Sequence, residues 1–371
     1  MYAYIIRRLL LVFPTLIGIM ILNFAVIQIV PGGPVEQAIA QLTGTDVSAT
    51  ARIGGDAGSE TGANTQQAQA GNDAGLSSRY RGAQGLPTDL IKSIEKQYGL
   101  DKPAHERFFL MMKNYLTFDF GDSFFQDRSV TQLVIDKMPV SISLGLWTTL
   151  LVYLISIPLG IAKAVRDGSR FDVWTSGLVI FGNAVPGFLF AILLIIIFAG
   201  GRYLDWFPLR GLTSPNFDEL NSFEKVIDYF WHMTLPLLSM VIGGFAGLTM
   251  LTKNSFIEEV NKQYVLTARA KGLTQRAVLY GHVFRNAMMI IIAGFPAAFV
   301  GILFTGSMLT EIIFSLDGLG LLGFEAVLKR DFPVMFGTLY FFTLFGLMLG
   351  ILSDLMYHIV DPRVDFENRD V

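Results

Sequence analysis

The sequence predicts an all-α integral membrane protein with six transmembrane helices. Hydrophobic residues make up 52% of its 371 residues and charged residues only 16%, whereas ordinary soluble domains carry roughly 25% charged residues. Six segments are apolar enough to cross a bilayer, because about 20 such residues span about 30 Å of hydrocarbon. These predicted spans cover residues 9–30, 140–162, 173–199, 235–251, 287–309 and 334–357.

The composition also excludes several kinds of site. The net charge is −3, so the chain lacks the basic excess that neutralises nucleic-acid phosphates. It contains no cysteine, which excludes disulfides, thiolate metal ligands and cysteine nucleophiles. Its four histidines lie far apart in the sequence and no HExxH motif occurs, so we expect no metal site.

The first apolar segment is predicted to be a retained anchor helix. Arg7 and Arg8 precede it, as basic residues precede the core of a signal peptide. However, the apolar run covers residues 9–30, which is longer than the roughly 7 to 15 residues of a cleavable core. It ends in "PGGP" without a small-residue cleavage pattern.

The orientation of the spans is predicted from lysine and arginine, which concentrate in short cytoplasmic loops. Residues 1–8, 163–172, 253–286 and 358–371 together hold 13 of the 28 Lys and Arg residues in 66 positions. The other segments between spans hold their basic residues at a lower density. We therefore expect both termini and the loop of residues 253–286 to face the cytoplasm.

The long insertion of residues 31–139 is predicted to lie on the exported side. Its stretch "TGTDVSATARIGGDAGSETGANTQQAQAGNDAGLSSR" has no aromatic residue, so residues 41–85 are predicted to form a flexible loop. Residues 86–139 are predicted to form a helical cap, with a stop at Gly99 and a new helix after Pro103. This cap is either a packing element or a dock for a soluble partner or substrate. The remaining predicted parts are a tail with helix 1 (1–30), a core of five spans (140–357) and a C-terminal tail (358–371).

The loop between the fourth and fifth spans carries helical signals that an ordinary connection does not need. Ser255 and Glu258 form a capping-box pattern that predicts a helix running to Lys271. Gly272 suits a left-handed helix end, and Thr274 suits the cap of a second helix. A helix of about 15 residues is marginal alone in water, so we expect a cytoplasmic partner. The predicted contact face consists of Val260, Tyr264, Ala268 and Lys271.

The loop sequence "YVLTARAKGLTQRAVLYGHVFRNA" resembles the cytoplasmic loop of permease subunits from ABC importers of the dipeptide and oligopeptide class. In that family the loop holds a coupling helix, which docks on the ATPase and transmits its closure to the spans. Thr267, Ala268 and Gly272 stand at positions of the family's "EAA…G" motif. Leu266 stands where the general motif has glutamate, a departure that the peptide class commonly shows.

Motifs along the rest of the chain are similar to the same class. They are "RRLLLVFPTLIG" with "PGGP", "YGLDKP", "FDFGDSF", "MPVSISLGL", "EIIFSLDGLGLL", "RDFPVMFGTLYF" and "DLMYHIVDPRV", together with "WFPLRGL" and "FDVW". Gly33 stands where many members have aspartate, and Asp317 stands where proline is frequent. The likeness is strongest to members that import oligopeptides and peptide-like antibiotics of the microcin C kind.

The resemblance implies a type I ABC importer fold in the bacterial inner membrane. The implied partners are a second homologous permease, a cytoplasmic ABC ATPase that uses ATP and Mg, a periplasmic peptide-binding protein, a peptide substrate and the lipid bilayer. The chain itself is expected to bind no cofactor and to hold no catalytic residue. Consistent with this expectation, the sequence contains no GxxxxGK[ST] phosphate-binding loop.

Three groups of candidate residues follow from the resemblance and the residue types. The ATPase-coupling group is Tyr264, Thr267, Ala268, Arg269, Lys271 and Gly272, with Tyr264 and Ala268 in a groove of the ATPase and Arg269 and Lys271 at its charged rim. Asn23, Gln28 and Asn183 either line the translocation path or hydrogen-bond neighbouring helices. Gly318 and Gly320 permit a tight turn at the exported mouth, which is either a gate or only a turn.

Two other classes of protein remain as alternatives. A secondary transporter or channel driven by an ion gradient usually needs charged side chains inside its spans. An intramembrane hydrolase needs a nucleophile with a base, or paired aspartates, in the same place. The predicted spans offer almost no such side chains, so both alternatives rank below the importer subunit.

Overall fold

The computed structural model describes residues 2–29, 92, 96, 101–201, 203–301 and 308–360. The first helices are α1 (Tyr2–Ile29), α2 (Ala104–Leu116), α3 (Val130–Val165), α4 (Arg170–Ala184), α5 (Gly187–Phe198), a 3₁₀ turn (Phe217–Glu219) and α6 (Ser222–Val260). They are followed by α7 (Gln263–Ala270), α8 (Gln275–Val278), a π-helical turn (Leu279–Val283), α9 (Phe284–Gly301), α10 (Met308–Ile313), α11 (Leu319–Lys329) and α12 (Phe332–Val360). The predicted flexible residues 41–85 and the predicted stop at Gly99 lie outside the described residues.

The described helices confirm a mostly helical protein with several apolar spans. Five helices are long and apolar enough to cross a membrane, and a bent helix pair brings the number to six if it counts as one span. The five stretches are Tyr4–Ala25, Val130–Val165, Ser222–Val260, Gln275–Phe295 and Phe332–Met356. The predicted helix after Pro103 is also confirmed, since Pro103 directly precedes α2.

The predicted span over residues 173–199 consists of two helices and not of one straight helix. The helices α4 and α5 meet there at a bend of 90°. Pro186 has no N–H group, and its ring pushes the preceding residue out of the helical region. Val185 accordingly adopts an extended conformation, with φ of −84° and ψ of 117°. The third apolar segment is therefore a broken element.

Two helices extend well beyond the predicted spans. The helix α3 has 36 residues and α6 has 39, so they reach about 54 and 58 Å at about 1.5 Å per residue. Pro139 and Pro158 lie inside α3, and Pro236 lies inside α6. These prolines do not end the helices, and each helix is longer than the roughly 30 Å needed to cross the hydrocarbon.

The described residues belong to two compact units. The first unit comprises Met1–Val12, Lys137–Leu321 and Phe342–Val371. It contains two buried apolar clusters. One surrounds Leu144 and Met233, and the other surrounds Phe256. Because α3 and α6 contribute to both clusters, these two helices form the centre of the unit.

The second unit comprises Phe13–Asp136 and Leu322–Phe341. Its described core is aromatic. The ring centroids of Tyr115 and Phe120 are 4.7 Å apart, and those of Phe120 and Tyr340 are 5.3 Å apart. Such distances are typical of attractive edge-to-face and tilted ring pairs.

We expect Gly160→Ala to destabilise the first unit. A Cβ atom at Gly160 of α3 would lie 2.5 Å from Cβ of Thr252 and 2.8 Å from the backbone oxygen of Thr249, both in α6. Overpacking costs about 1–3 kcal/mol, which exceeds the gain of up to about 1 kcal/mol in helix propensity. The midpoint of thermal unfolding, measured in detergent, should therefore fall. In Gly177→Ala the new methyl group meets nothing within 4 Å, so this control variant should unfold at or above the native midpoint.

Candidate functional site

The first candidate site is the elbow (residues 261–274), which joins α6 to α8. The helix α6 ends at Val260, and α7 covers Gln263–Ala270. Gly272 has a φ of +81°, a left-handed conformation that glycine adopts without steric cost. The hydroxyl of Thr274 accepts a hydrogen bond of 3.3 Å from the backbone N–H of Ala277. The predicted glycine stop and threonine cap are thus confirmed.

The predicted capping box of Ser255 and Glu258 is wrong. Both residues lie inside α6, which runs without interruption to Val260. Backbone groups within a continuous helix already have partners, so no cap is needed there. The hydroxyl of Ser255 instead donates a 2.7 Å hydrogen bond to the backbone oxygen of Ala287. This bond ties α6 to α9.

The inner face of α7 packs on the chain itself. Val265 and Ala268 are buried in one apolar cluster with Phe256, Val278 and Val283. The prediction that Ala268 fills a groove of another protein is therefore wrong. The residue is small and sits on the side of α7 that faces α6, α8 and the π-helical turn, a placement that loop sequence alone does not show.

Tyr264 is half-buried at the edge of the same face. Its hydroxyl donates a 2.6 Å hydrogen bond to Glu259 Oε2 and accepts one of 3.3 Å from Asn286 Nδ2. Burial and the hydrogen bond to Glu259 raise the pKa of the Tyr264 phenol, so the group remains a neutral donor. Tyr264 thus connects the end of α6, α7 and the start of α9.

The outer face of the elbow is exposed and mixed in character. The predicted coupling residues Thr267, Arg269, Lys271 and Gly272 all lie on it. Three large apolar side chains in the elbow and just beyond it are exposed by 41–57%, namely Leu266, Leu273 and Tyr280. A shallow, open depression beside Tyr280 is lined by Thr274, Arg276 and Ala277. Apolar residues in an otherwise polar loop were the signal that could have revealed this face.

A buried ion cluster lies two helical turns before the elbow. Lys163, in the last turn of α3, is completely buried and its ammonium lies 2.9 Å from Asp172 Oδ1. The same ammonium donates to the backbone oxygen of Asp172 at 2.9 Å and to the hydroxyls of Thr175 at 3.0 Å and Ser176 at 2.7 Å. Lys163 therefore holds the end of α3 against the start of α4.

Lys253 of α6 completes the ion cluster (Lys163, Asp167, Asp172 and Lys253). Its ammonium lies 2.7 Å from Asp172 Oδ2 and 2.8 Å from Asp167 Oδ1. Hydropathy predicted that Lys163 and Asp172 lie in a connecting loop, whereas both lie in helices. Removing one partner from a buried ion pair leaves an uncompensated charge, which costs several kcal/mol. The cluster thus holds the end of α3 and the start of α4 against α6.

The glycine turn (residues 315–321) surrounds a second buried acidic side chain, that of Glu311 in α10. The carboxylate of Glu311 accepts hydrogen bonds from the hydroxyl of Ser141 at 3.1 Å and from the N–H of Leu321 at 2.7 Å. The hydroxyl of Ser141 in turn accepts a 2.8 Å bond from the N–H of Leu319. Sequence reasoning missed Glu311 and Ser141 because they lie far apart along the chain.

Gly318 and Gly320 allow the backbone of the glycine turn to lie close to the side chain of Glu311. Neither residue has a positive φ. A Cβ atom at Gly318 would lie 2.4 Å from Glu311 Cδ, and one at Gly320 would lie 3.1 Å from Glu311 Oε2. Asp317, which stands where proline is frequent in the resembling class, pairs with Lys137. The turn is thus fastened to α3 by both Ser141 and Lys137.

The structure describes the side chains of two of the three predicted path residues, Asn23 and Asn183. Asn23 donates a 2.8 Å hydrogen bond to the backbone oxygen of Ile19 in its own helix. Asn183 is exposed in the last turn of α4. Gln28 lies in α1, and its side chain is outside the described part. Asn23 therefore has a local partner, while Asn183 is free to meet a neighbouring protein, lipid or solute.

The chain matches one family of known proteins, and it is similar to individual relatives over its full length. Residues 156–366 match the family described as binding-protein-dependent transport system inner membrane component. Over 371 residues, 100% of both chains, the sequence is 61% identical to the peptidoglycan transport system permease protein YejB of Agrobacterium fabrum. It is 59% identical over 369 residues, again 100% of both chains, to the inner membrane ABC transporter permease protein YejB of Escherichia coli. The oligopeptide transport system permease protein AppB of Bacillus subtilis is 30% identical over 99% of this chain and 100% of its own.

Proposed function

The chain belongs to the binding-protein-dependent transport system inner membrane component family, and from this premise we propose that it forms a peptide translocation path with a second permease. As a family member it is an inner-membrane permease subunit of an ABC importer. It is not the ATPase, because ATP hydrolysis in such importers belongs to a separate subunit. The proposed partners are a homologous permease, a cytoplasmic ATPase and a periplasmic binding protein.

The proposed substrates are peptides and peptide-like compounds. One relative is named for oligopeptide transport and another for peptidoglycan transport. Oligopeptides and the peptide portion of peptidoglycan share an amide backbone, so one path could carry both chemical types. The resemblance of the loop and turn motifs extends the proposal to peptide-like antibiotics such as microcin C.

The proposed orientation places both termini and the elbow in the cytoplasm. This orientation puts the elbow on the side where the ATPase binds nucleotide. It also places the glycine turn and α2 on the exported side, where a binding protein delivers substrate. The density of basic residues near the elbow supports this arrangement, since lysine and arginine concentrate in cytoplasmic loops.

The observation that carries the coupling proposal is the exposed outer face of the elbow. Leu266, Leu273 and Tyr280 present apolar surface outside the predicted spans, next to the cations Arg269 and Lys271. Buried aromatic and apolar anchors with a charged rim are typical of protein interfaces. We assign these three side chains to a groove of the ATPase and the two cations to its rim.

The inner face of α7 explains how the elbow would transmit a displacement. Val265 and Ala268 are packed on α6 and on the helix that follows the elbow, and Tyr264 hydrogen-bonds Glu259 of α6. A pull on α7 is therefore passed to α6 and α9 and is not absorbed by a flexible loop. The ATPase must bind the elbow more tightly in one conformation than in the other, since equal binding to both shifts no equilibrium.

We expect Arg269→Glu to uncouple ATP hydrolysis from transport. The charge reversal puts a carboxylate at the rim of the proposed contact without touching the buried face. Coupling energies between sites are typically about 1–3 kcal/mol, or roughly 5- to 150-fold in equilibrium. In proteoliposomes with the partner subunits and the binding protein, peptide uptake should fall by at least about fivefold, while the ATPase still hydrolyses ATP.

The control is Arg210→Glu, which reverses an exposed cation in the connection between α5 and α6. This variant should transport at the native rate. Gly272→Pro provides a second test of the elbow, because proline cannot adopt the φ of +81° found there. Native uptake in both elbow variants would contradict the coupling assignment. Uptake that persists without ATP and follows an ion gradient would instead support a secondary transporter.

A further inference from the structure

The helix α2 exposes an apolar face that nothing described above explains. Phe109, Leu110 and Leu116 of α2 and Phe118 just beyond it have 48–68% of their surface exposed. Phe109 and Leu116 are seven residues apart, so they lie on the same side of the helix. Tyr115, which points about 100° around the helix from Leu116, is buried. Large apolar side chains are therefore found on both the buried and the exposed side of α2.

Ring contacts place α2 beside the ends of two apolar spans of its own unit. The ring of Phe108 lies 5.2 Å from that of Phe24, which is one residue from the end of the apolar stretch Tyr4–Ala25. The ring of Tyr115 lies 5.6 Å from that of Tyr340. Tyr340 is eight residues into α12, about 12 Å along the helix at about 1.5 Å per residue.

These contacts place α2 near one end of each of the two apolar spans. The residues that it touches lie at the end of one span and in the first turns of another. Each of the two polar interfacial layers of a membrane is roughly 5–8 Å thick, which is half the difference between a total thickness of about 40–45 Å and a hydrocarbon core of about 30 Å. A helix at this depth has its exposed side facing the boundary between headgroups and acyl chains.

We propose that α2 is an interfacial membrane helix, with Phe109, Leu116 and Phe118 inserted into the lipid. Such helices lie in the plane of the membrane and bury their apolar face about 5–10 Å into the boundary of headgroups and acyl chains. The proposal requires only that the chain spans a membrane. It does not depend on the substrate, the ATPase or the coupling role of the elbow.

The residues around the apolar face fit a lipid surface. Lys113 is exposed between Phe109 and Leu116 on the same side of α2. Its long aliphatic stem can lie along acyl chains while the ammonium reaches the headgroups. Glu106 lies one turn from Phe109 towards the start of α2, where the helix is polar. This gradient from a polar start to an apolar end suits a helix that dips into the interface.

The ring of Phe118 extends the exposed apolar face just beyond the end of α2. The φ of Phe118 is +57°, a left-handed conformation that costs a bulky residue about 1–2 kcal/mol. The strained conformation leaves half of the ring exposed, although the ring also lies 6.2 Å from that of Tyr340. The left-handed residue closes the C-terminal end of α2, since the N–H of Asp119 donates a 3.0 Å hydrogen bond to the backbone oxygen of Asn114.

Site-directed spin labelling tests the proposal directly, because the chain contains no cysteine. Phe109→Cys and Leu116→Cys each carry one nitroxide label in the importer purified with its partner subunits and placed in lipid nanodiscs. Collision rates are measured with oxygen, which concentrates in lipid, and with the water-soluble complex nickel ethylenediaminediacetate. At both positions we expect the oxygen rate to exceed the nickel rate several-fold.

Two other results would overturn the proposal, and they differ from each other. A nickel rate above the oxygen rate would show that this face of α2 is in water. Low rates for both reagents would show that a protein surface covers it. The control Lys102→Cys, at an exposed position before α2 begins, should give a high nickel rate. Because both labelled side chains are exposed, their replacement should leave the fold intact.

Discussion

Gly318→Ala is expected to abolish transport and to destabilise the chain strongly. The new Cβ atom would lie 2.4 Å from Glu311 Cδ, well inside the contact distance of two carbon atoms. Glu311 cannot retreat, because it is completely buried and its carboxylate is held by Ser141 and the N–H of Leu321. Losing hydrogen bonds to a charged group costs about 1.5–3 kcal/mol, in addition to about 1–3 kcal/mol for overpacking. Peptide uptake and the midpoint of thermal unfolding are the two measurements.

A graded set of variants checks this explanation. Gly320→Ala should be milder, since its Cβ atom would lie 3.1 Å from Glu311 Oε2. Gly346→Ala meets nothing within 4 Å and should behave like the native chain. Adding Glu311→Asp to Gly318→Ala shortens the acidic side chain by one methylene and should recover part of the lost stability. Equal midpoints for Gly318→Ala and Gly346→Ala would contradict the proposed fit of Gly318 and Glu311.

Lys163→Met is expected to cost about 3–5 kcal/mol of folding free energy, as removal of one member of a buried ion pair does. Methionine fills a similar volume, so the lost interactions are those of the ammonium. Asp172 would retain Lys253 as its cation. The backbone oxygen of Asp172 and the hydroxyls of Thr175 and Ser176 would lose a shared donor. The midpoint of thermal unfolding should therefore fall markedly. It is measured as the amount of monodisperse protein that remains after heating.

The matched control is Lys329→Ala, which removes a partly exposed ion pair with Glu325 at 2.9 Å. Exposed pairs contribute about 0–1 kcal/mol, so its midpoint should stay close to the native value. The double variant Lys163→Met with Asp172→Asn should cost less than the sum of the single variants, because it removes both charges of the pair. Additive costs, or a native midpoint for Lys163→Met, would show that the ion cluster does not hold the end of α3 and the start of α4 against α6.

The sequence predicted the elbow's local geometry well but its packing poorly. Gly272 and Thr274 have the conformations that their residue types favour. The capping-box pattern at Ser255 was misleading, because the same pattern also occurs inside a helix that continues for other reasons. Ala268 was assigned to the outer surface because a helical wheel shows which residues share a face, but not which face meets the rest of the chain.

The third apolar segment shows a similar limit of prediction from local sequence. Its composition predicts a membrane element, and Pro186 is visible in the sequence. Proline also occurs inside α3 and α6, which continue through it. Whether a helix bends or continues at proline depends on the packing that surrounds it, and this information is not present in the local sequence.

The sequence by itself determined the class of protein, the presence of several apolar segments, the glycine stop of the elbow, and the family resemblance. These features depend on hydropathy over about 20 residues or on the conformational preferences of single residues, which act locally. Only the tertiary structure decided which charges are buried together and which face of α7 points outward. Lys253 and Asp172 are 81 positions apart, and Ser141 and Glu311 are 170 apart. No local sequence pattern predicts such long-range contacts. They form when helices from distant parts of the chain pack together and exclude lipid and water from between them.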